Sequence, residues 1–401
     1  MEKIIINGGK KLSGEIEVPS SKNAYLPILA ATLLCEDIVV LHKNPKFLDI
    51  FNMCKILNSL GAKTLMSGND IIIDSTSLNN FEISHDLASE LRSSIFSLGS
   101  ILGRQKKAKV AFPGGCEIGA RPIDIHIKGL ESLGVKIVDR HGYLYCDGSN
   151  MKGGFVHLDF PSVGATENIM LAAVTIKGKT EISNAAKEPE IIDLQNFLNA
   201  CGAKVKGAGT SIITISGVKR LHGTEYTPIS DRIIAGTYLL ACRMCLGNIK
   251  LTNAVPSNLS ALFAKLDNSS CKMVCKNDII CLDQKERCRG LGKIETMPFP
   301  GFPTDLQAQL MACQTVADGT TMIVENMFES RFKQVPELIK MGGQITVKDR
   351  SAVIYGTKKL YGAEVSSHDL RGGAALVMAG LVADGYTVVS NINFIDRGYI
   401  N

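Results

Sequence analysis

One pattern recurs six times along this chain and limits the folds open to it. An apolar helical run is followed by a glycine or polar turn and then by a β-branched strand: "LAATLLCEDIVVL", "SLGSILGRQKKAKVAF", "MLAAVTIKGKTEISN", "YLLACRMCLGNIKLTN", "LMACQTVADGTTMIVEN" and "LVMAGLVADGYTVVSN". The turns fall near Asp37, Lys106, Gly178, Gly247, Gly319 and Gly385, about 66 to 72 residues apart. Repetition at fixed spacing means one supersecondary unit used again and again.

A second signature follows each turn by about 23 to 28 residues: a helix end, a glycine and a new strand, as in "LGAKT", "LGVKI", "CGAKV" and "MGGQI", with a fourth copy degraded to "NSSCKM". Glycine is the residue expected where a helix ends in a left-handed turn. A hairpin then follows, as in "KTLMSGNDIIID", where Gly68-Asn69-Asp70 turns the chain between alternating strands. Each unit therefore reads strand, helix, strand, helix, strand, strand, with helices on one sheet face. Six units begin and five finish; the sixth glycine signature is due near residue 410, beyond Asn401. The expectation is a sixth repeat lacking its last helix and strand, with an uncovered sheet edge. Six equal units suggest two domains of three, meeting near residues 229 to 230.

Composition excludes several classes. The 401 residues are 45% hydrophobic and 21% charged with a net charge of +5, which suits a globular protein and an anionic small-molecule substrate. No Lys/Arg block is long enough for a nucleic-acid tail. The N-terminus lacks the basic and apolar regions of a secretory signal, and no uncharged run reaches membrane-spanning length. Twelve cysteines are many, but their spacing is not a secreted disulfide framework. "CRMC" (242–245) and "CKMVC" (271–275) invite a zinc reading. The first lies in a helical run and the second alternates like a strand, so small apolar residues is the better reading, and no metal site is assigned. Reduced thiols and a cytoplasmic location follow.

Seven stretches hold side chains that could do chemistry. "PSSKNAYLPILAA" sets Lys22 at a helix start among the cap-type residues Ser20, Ser21 and Asn23, where exposed amides favour phosphate; a solvated surface lysine fits as well. "FPGGCEIGARPIDIHIKGLESLG" is a Gly/Pro loop carrying Cys116 and Arg121 before Pro122 at a helix N-terminus. A thiol among glycines near arginines can serve as general acid or nucleophile; a merely flexible loop is the alternative. "DFPSVGATENIMLAA" begins a helix at Ser162, Val163 and Gly164, where amides could cradle phosphate or Ser162 or Thr166 could simply cap. In "MPFPGFPTDLQAQLMA", Asp305 opens a helix as a plain cap or as a base. Arg331, Arg371 and Arg397 each follow a strand and begin a loop beside acids; surface ion pairs would explain any one, but three in equivalent places suggest one anion-binding surface.

Those segments, with "LRSSIFSLG", "NAAKEPEIIDLQNFLNACGAKV", "DLRGGAAL" and "DRGY", resemble the UDP-N-acetylglucosamine 1-carboxyvinyltransferases, within the wider enolpyruvyl transferase (EPSP synthase) group. The resemblance spans nearly the whole chain, and the PGGC-x-IGARP loop is its most specific part. It implies an α/β (α+β) fold: a two-domain inside-out α/β barrel of six βαβαββ repeats, the sixth truncated. It places residues 22–229 in one domain and 1–21 with 230–401 in the other, with the active site in the cleft between them. The implied reaction moves the enolpyruvyl group of phosphoenolpyruvate to the 3′-hydroxyl of UDP-N-acetylglucosamine and releases phosphate, the first committed step of peptidoglycan synthesis. By the same resemblance Cys116 is the general acid and Asp305 the base, with Lys22 and Arg397 also catalytic. Phosphoenolpyruvate would meet Lys22, Asn23, Arg121, Arg397, Arg371 and Arg331. The UDP-sugar would meet Asn23, Arg92, Arg121, Pro122, Ile123, Asp124, Ile125, Ser162, Val163, Gly164, Asp305 and Met327. No metal or organic cofactor, nucleic acid or membrane is implied, and a monomer is expected. Phe160, Phe299, Ser330 and Gln334 depart from residues common in that family. Two alternatives stand beside this reading: a shikimate-pathway enolpyruvyl transferase, against which the Cys116 loop argues, and a truncated, non-catalytic UDP-sugar-binding paralogue.

Overall fold

Helices and strands fall where the repeat puts them. In the second repeat, strand Glu82–Ile83 leads through helix Phe96–Gln105 to strand Lys107–Ala111. Helix Asp124–Ser132 and the hairpin Lys136–Arg140/Tyr143–Asp147 complete it. The computed structural model describes residues 2–112, 123–266 and 271–399. Gly61, Gly134, Gly202 and Gly342 take φ of 99°, 90°, 95° and 94° after their helices, the left-handed turn their positions predicted. Of the degraded fourth copy "NSSCKM", residues 268–270 lie outside the described residues and Cys271 opens strand Cys271–Lys276.

Each complete sheet has one pairing plan. The first strand runs parallel to the second, and the second is antiparallel to the last, which closes a hairpin with the third. In the second repeat Ile83 faces Val110, Ala108 faces Cys146, and Cys146 faces Ile137. Among the described residues five sheets have four strands and one has three.

The repeat is less local than the sequence suggests. The first repeat's parallel strand, Glu225–Tyr226 beside Ile38–Leu41, comes from far downstream. The fourth repeat takes Ser13–Glu17 from the N-terminus, beside Asn248–Thr252. In the three-stranded sheet Glu364–Ser366 runs parallel to Tyr386–Ser390, and Ile4–Asn7 pairs antiparallel on its other side. Ile4–Asn7 thus fills the place that the last hairpin strand holds in the other sheets. The N-terminal segment completes two sheets whose remaining strands lie beyond residue 247.

The chain clusters into two compact units. One takes Met1–Pro19 and Ser230–Asn401; the other takes the described residues between Ser20 and Ile229. In each, helices make the core and the outer strand faces meet solvent, where Ile38, Val138, Ile212 and Tyr386 are exposed. Every residue of helix Gln307–Thr315 is buried, as is every residue from Ala165 to Ala173 in helix Val163–Ala173. Both helices are enclosed on all sides although they carry polar residues such as Gln307, Gln309, Glu167 and Asn168, and each Leu or Ile buried there contributes about 1.5–3 kcal/mol. Close approach needs small residues: a Cβ on Gly99 would lie 2.2 Å from the Asn168 carbonyl oxygen of the facing helix. Among the described residues no helix is long and apolar enough to cross a membrane.

Candidate active site

In the unit containing residues 230–399, three of the singled-out side chains meet. Asp305 lies in the short 3-10 turn Thr304–Leu306 that leads into helix Gln307–Thr315. It does not cap that helix. Its Oδ1 accepts from Arg331 Nη2 at 2.7 Å and its Oδ2 from Arg371 Nη2 at 3.2 Å. The arginine side chains are 4% exposed each, while that of Asp305 is 27% exposed. Surface ion pairs are therefore the wrong description: two buried guanidiniums hold one carboxylate that solvent still reaches. Charge-assisted bonds of this kind fix orientation strongly. Arg371 also departs from the sequence reading in its place. It sits not at a loop but in the first turn of helix Leu370–Val382, whose N-cap Asp369 accepts from the Arg371 and Gly372 amides at 2.9 Å each.

Tyr399 extends this cluster. Its hydroxyl accepts from Arg371 Nη1 at 3.2 Å and from Gln309 Nε2 at 3.2 Å, and lies 2.9 Å from Thr237 Oγ1. Burial alone would lower the Arg371 pKa; Asp305, Tyr399 and Asp231 outweigh it and hold it above its ordinary value, so this cation stays charged at any physiological pH. Behind Asp305, the buried Arg371 guanidinium, steadied by the half-buried Tyr399 hydroxyl, keeps the wall of the site positive.

Glu325 was not legible as a functional residue, yet it sets the geometry. Fully buried, it accepts at Oε1 from Thr296 Oγ1 (2.8 Å), Met327 N (2.8 Å) and Phe328 N (3.2 Å), and at Oε2 from Thr304 Oγ1 (2.9 Å). One carboxylate thus ties the segment before Asp305 to the loop that carries Met327 and leads to Arg331. Met327 itself is half-buried. An acid at a strand end gives no sequence signal for this, because its partners are backbone amides and hydroxyls far apart in the chain.

In the other unit, Lys22 is the first residue of helix Lys22–Ala31, as predicted, and Ser21 caps it by accepting from Ala24 N at 3.3 Å. Lys22 Nζ donates to Asp49 Oδ2 at 3.1 Å; the side chains are 12% and 2% exposed. This is a partly buried ion pair rather than a solvated lysine. Asn23 is half-buried one residue on, and Arg92 begins the 3-10 turn Arg92–Ile95. Ser162 caps helix Val163–Ala173, accepting from Ala165 N at 3.3 Å, so its capping role and any ligand role coexist.

His126, which the sequence did not flag, lies directly beneath Gly164. A Cβ on Gly164 would come within 3.1 Å of its Cε1 and 3.0 Å of Phe96 Cε1. Asn168 Nδ2 donates to His126 Nδ1 and to the Ile95 carbonyl at 3.0 Å each, while its Oδ1 accepts from Gly99 N at 2.5 Å. That network makes Nδ1 the acceptor and puts the proton of the neutral ring on Nε2. Ile123 is buried, Asp124 exposed and Ile125 half-buried at the start of the helix that carries His126.

Cys116, Arg121 and Pro122 lie outside the described residues. Arg397 is half-buried in the turn after Ile392–Phe394. Phe160 is 41% exposed, whereas Gln334 is buried against Met311 Sδ at 3.5 Å. Cys242 and Cys245 are buried in helix Arg232–Met244 and at its end; in strand Cys271–Lys276, Cys271 and Met273 are half-buried on one face, but Cys275 is exposed, so the expected alternation stops short of it. Among the described residues no group of three or more His, Cys, Asp or Glu is arranged to hold a metal ion.

The EPSP synthase (3-phosphoshikimate 1-carboxyvinyltransferase) family matches residues 6–401. The chain is 51% identical over 399 residues to UDP-N-acetylglucosamine 1-carboxyvinyltransferase 2 of Caldanaerobacter subterraneus, covering 100% of this chain and 96% of that one. It is 46% identical over 404 residues to UDP-N-acetylglucosamine 1-carboxyvinyltransferase 2 of Carboxydothermus hydrogenoformans, with 100% and 96% covered. Among solved structures it is similar to the enolpyruvyl transferase NikO from Streptomyces tendae (TM-score 0.87, 21% identity, 99% and 94% covered). EPSP synthase from Acinetobacter baumannii also matches (TM-score 0.72, 18% identity, 98% and 94% covered). At those identities the structures speak to the fold alone.

Proposed function

Because the chain belongs to the EPSP synthase family of enolpyruvyl transferases, with its curated relatives named as UDP-N-acetylglucosamine 1-carboxyvinyltransferases, we propose that it transfers the enolpyruvyl group of phosphoenolpyruvate to the 3′-hydroxyl of UDP-N-acetylglucosamine. Phosphate is the second product. The observation that carries the chemistry is the solvent-reaching carboxylate of Asp305 clamped by the buried guanidiniums of Arg331 and Arg371.

The reaction needs three things from the protein. A proton must reach the methylene carbon of phosphoenolpyruvate, and Cys116 is the acid. As the sugar oxygen bonds to the neighbouring carbon, its proton must leave, and Asp305 is the acceptor. A tetrahedral phospho-ketal results. It collapses when the bond to the phosphate oxygen breaks and a proton leaves the methyl carbon, restoring the double bond. Negative charge on phosphate and carboxylate must be met throughout; Lys22, Arg121, Arg331, Arg371 and Arg397 supply the cations. Arg371 is suited to this because its charge does not titrate away. Asn23, Arg92, Ile123, Asp124, Ile125, Ser162, Val163, Gly164 and Met327 are assigned to the UDP-sugar. Glu325 and His126 are positioning residues for the Asp305 turn and the Gly164 helix start. Both substrates belong to the cytoplasm, where peptidoglycan precursors are made, and that is the proposed location.

Phosphate release tests this. The folded protein with phosphoenolpyruvate and UDP-N-acetylglucosamine releases phosphate, and omitting either abolishes it. Release with shikimate 3-phosphate in place of the UDP-sugar would point instead to the shikimate-pathway reaction. Fosfomycin, an epoxide that alkylates thiols, leaves a mass adduct on Cys116 that disappears in Cys116→Asp.

A further inference from the structure

We propose that Cys288 and Cys313 form a dithiol that a hydroperoxide converts into a disulfide, a modification site separate from the residues assigned to transfer. Their Sγ atoms lie 3.9 Å apart, and Cys288 Sγ is also 3.9 Å from the Cys313 carbonyl oxygen. Closing that separation to the ~2.05 Å of a disulfide moves the sulfurs by only ~2 Å. Both side chains are buried, but Cys288 sits in the short connection between strands Ile279–Gln284 and Gly292–Glu295, and its neighbours Glu286, Arg287 and Arg289 are exposed. Arg287 fastens that connection, donating to the carbonyls of Val316, Ala317 and Thr357 at 3.1, 2.8 and 2.7 Å. Releasing those bonds opens a path to the sulfurs without unfolding the core.

The surroundings divide the two thiols into attacker and resolver. Cys288 is pulled down to about 7, first by the hydrogen bond from Cys313, against burial, with help from Arg243 and Arg287. Cys313 is pushed up by the same hydrogen bond and by burial. Arg243 is itself fully buried and donates to Cys271 Sγ at 3.1 Å. A buried guanidinium favours thiolate nearby.

In the first step the Cys288 thiolate attacks one peroxide oxygen. An S–O bond forms, the O–O bond breaks, and the departing oxygen leaves as hydroxide or alkoxide and takes up a proton. In the second, Cys313 sulfur attacks Cys288; the S–S bond forms, the S–O bond breaks, and water leaves with the Cys313 proton. Two electrons pass from the sulfurs to the peroxide, and a thiol reductant reverses the change. Cys313 lies on helix Gln307–Thr315, which follows the 3-10 turn carrying Asp305, so the disulfide would tie that helix to the Arg287 connection.

The experiment treats the full, folded chain with hydrogen peroxide, alkylates the remaining thiols, and maps peptides without reduction. The expected result is a Cys288–Cys313 cross-linked peptide, two fewer alkylatable thiols than in the untreated chain at these positions, and full recovery with dithiothreitol. In Cys313→Ser, a dimedone adduct accumulates on Cys288. If Cys288 and Cys313 both remain alkylatable while the exposed Cys275 is oxidised, the proposal is overturned. A Cys288–Cys271 cross-link also overturns it. The map of the unsubstituted chain decides the matter even where the serine variant fails to fold.

Discussion

Around helices Gln307–Thr315 and Leu370–Val382, two buried guanidiniums share the single carboxylate of Asp305, and Glu325 is saturated with four hydrogen bonds. Around helix Pro189–Ala200 in the other unit, the buried ionisable groups are mostly acids: Glu167, Glu188, Glu190 and Asp193. Among the described residues neither carboxyl oxygen of Glu167 has a hydrogen-bond partner. Burial first, then Glu190 and Glu188, push its pKa well above the carboxylate range. Asp193 is pushed up to about 6, chiefly by burial, with Tyr226 and the Ile229 amide holding it back. One repeat plan therefore supports opposite solutions. Where cations face a carboxylate, charge is kept and used; at Glu167, buried beside other acids, charge is removed by a proton.

The largest break in this comparison comes at Asp305. Asp305→Asn keeps the shape and loses the base, and phosphate release should fall by about 10² to 10⁴. Asp305→Ala strands two buried cations as well, costing about 3–5 kcal/mol in urea unfolding. The corresponding change in the other unit, Lys22→Met, should cost less stability, since it removes one cation at the edge of solvent rather than the shared partner of two buried ones. An equal or larger loss for Lys22→Met would erase the distinction.

Next in size is Glu325→Ala. Leaving two hydroxyls and two amides without their acceptor should lower stability by about 2–4 kcal/mol and lower kcat through the displaced Asp305 turn. Glu325→Gln keeps part of the network and should recover most of both. At Gly164, an alanine forces Phe96 and His126 to give by a few tenths of an ångström. KM for the UDP-sugar should rise about tenfold, equivalent to about 1.4 kcal/mol, with kcat nearly unchanged.

The smallest effect sharpens the acid side. A folded-state pKa raised above the unfolded value near 4.3 gives stability that is complete below that pH and lost as pH rises. Glu167→Gln removes this loss. Its melting temperature should exceed the parent's by a few degrees at pH 8, and the two should converge toward pH 4. A constant difference across that range would show that Glu167 is not held protonated.

Much of this was legible in the sequence. The repeat, the left-handed glycines and the Ser21 and Ser162 caps are local matters of backbone freedom and side-chain reach, and they stand as read. Strand partnership was not legible: nothing local in Ile4–Asn7 or Ser13–Glu17 says which distant strand each will join. Arg331 and Arg371 read as part of an exposed anion-binding surface, and their burial was not legible because it is a property of the assembled core. Glu325 and His126 were invisible for the same reason, as their partners come from three or four separate segments.

The most direct test of the central claim is the mass of the sugar product. Incubated with phosphoenolpyruvate, UDP-N-acetylglucosamine should gain the mass of one enolpyruvyl group, in step with the phosphate released, and Asp305→Asn should slow both alike. Phosphate appearing with no change in the UDP-sugar, or an unchanged UDP-sugar with folded protein, would contradict the account.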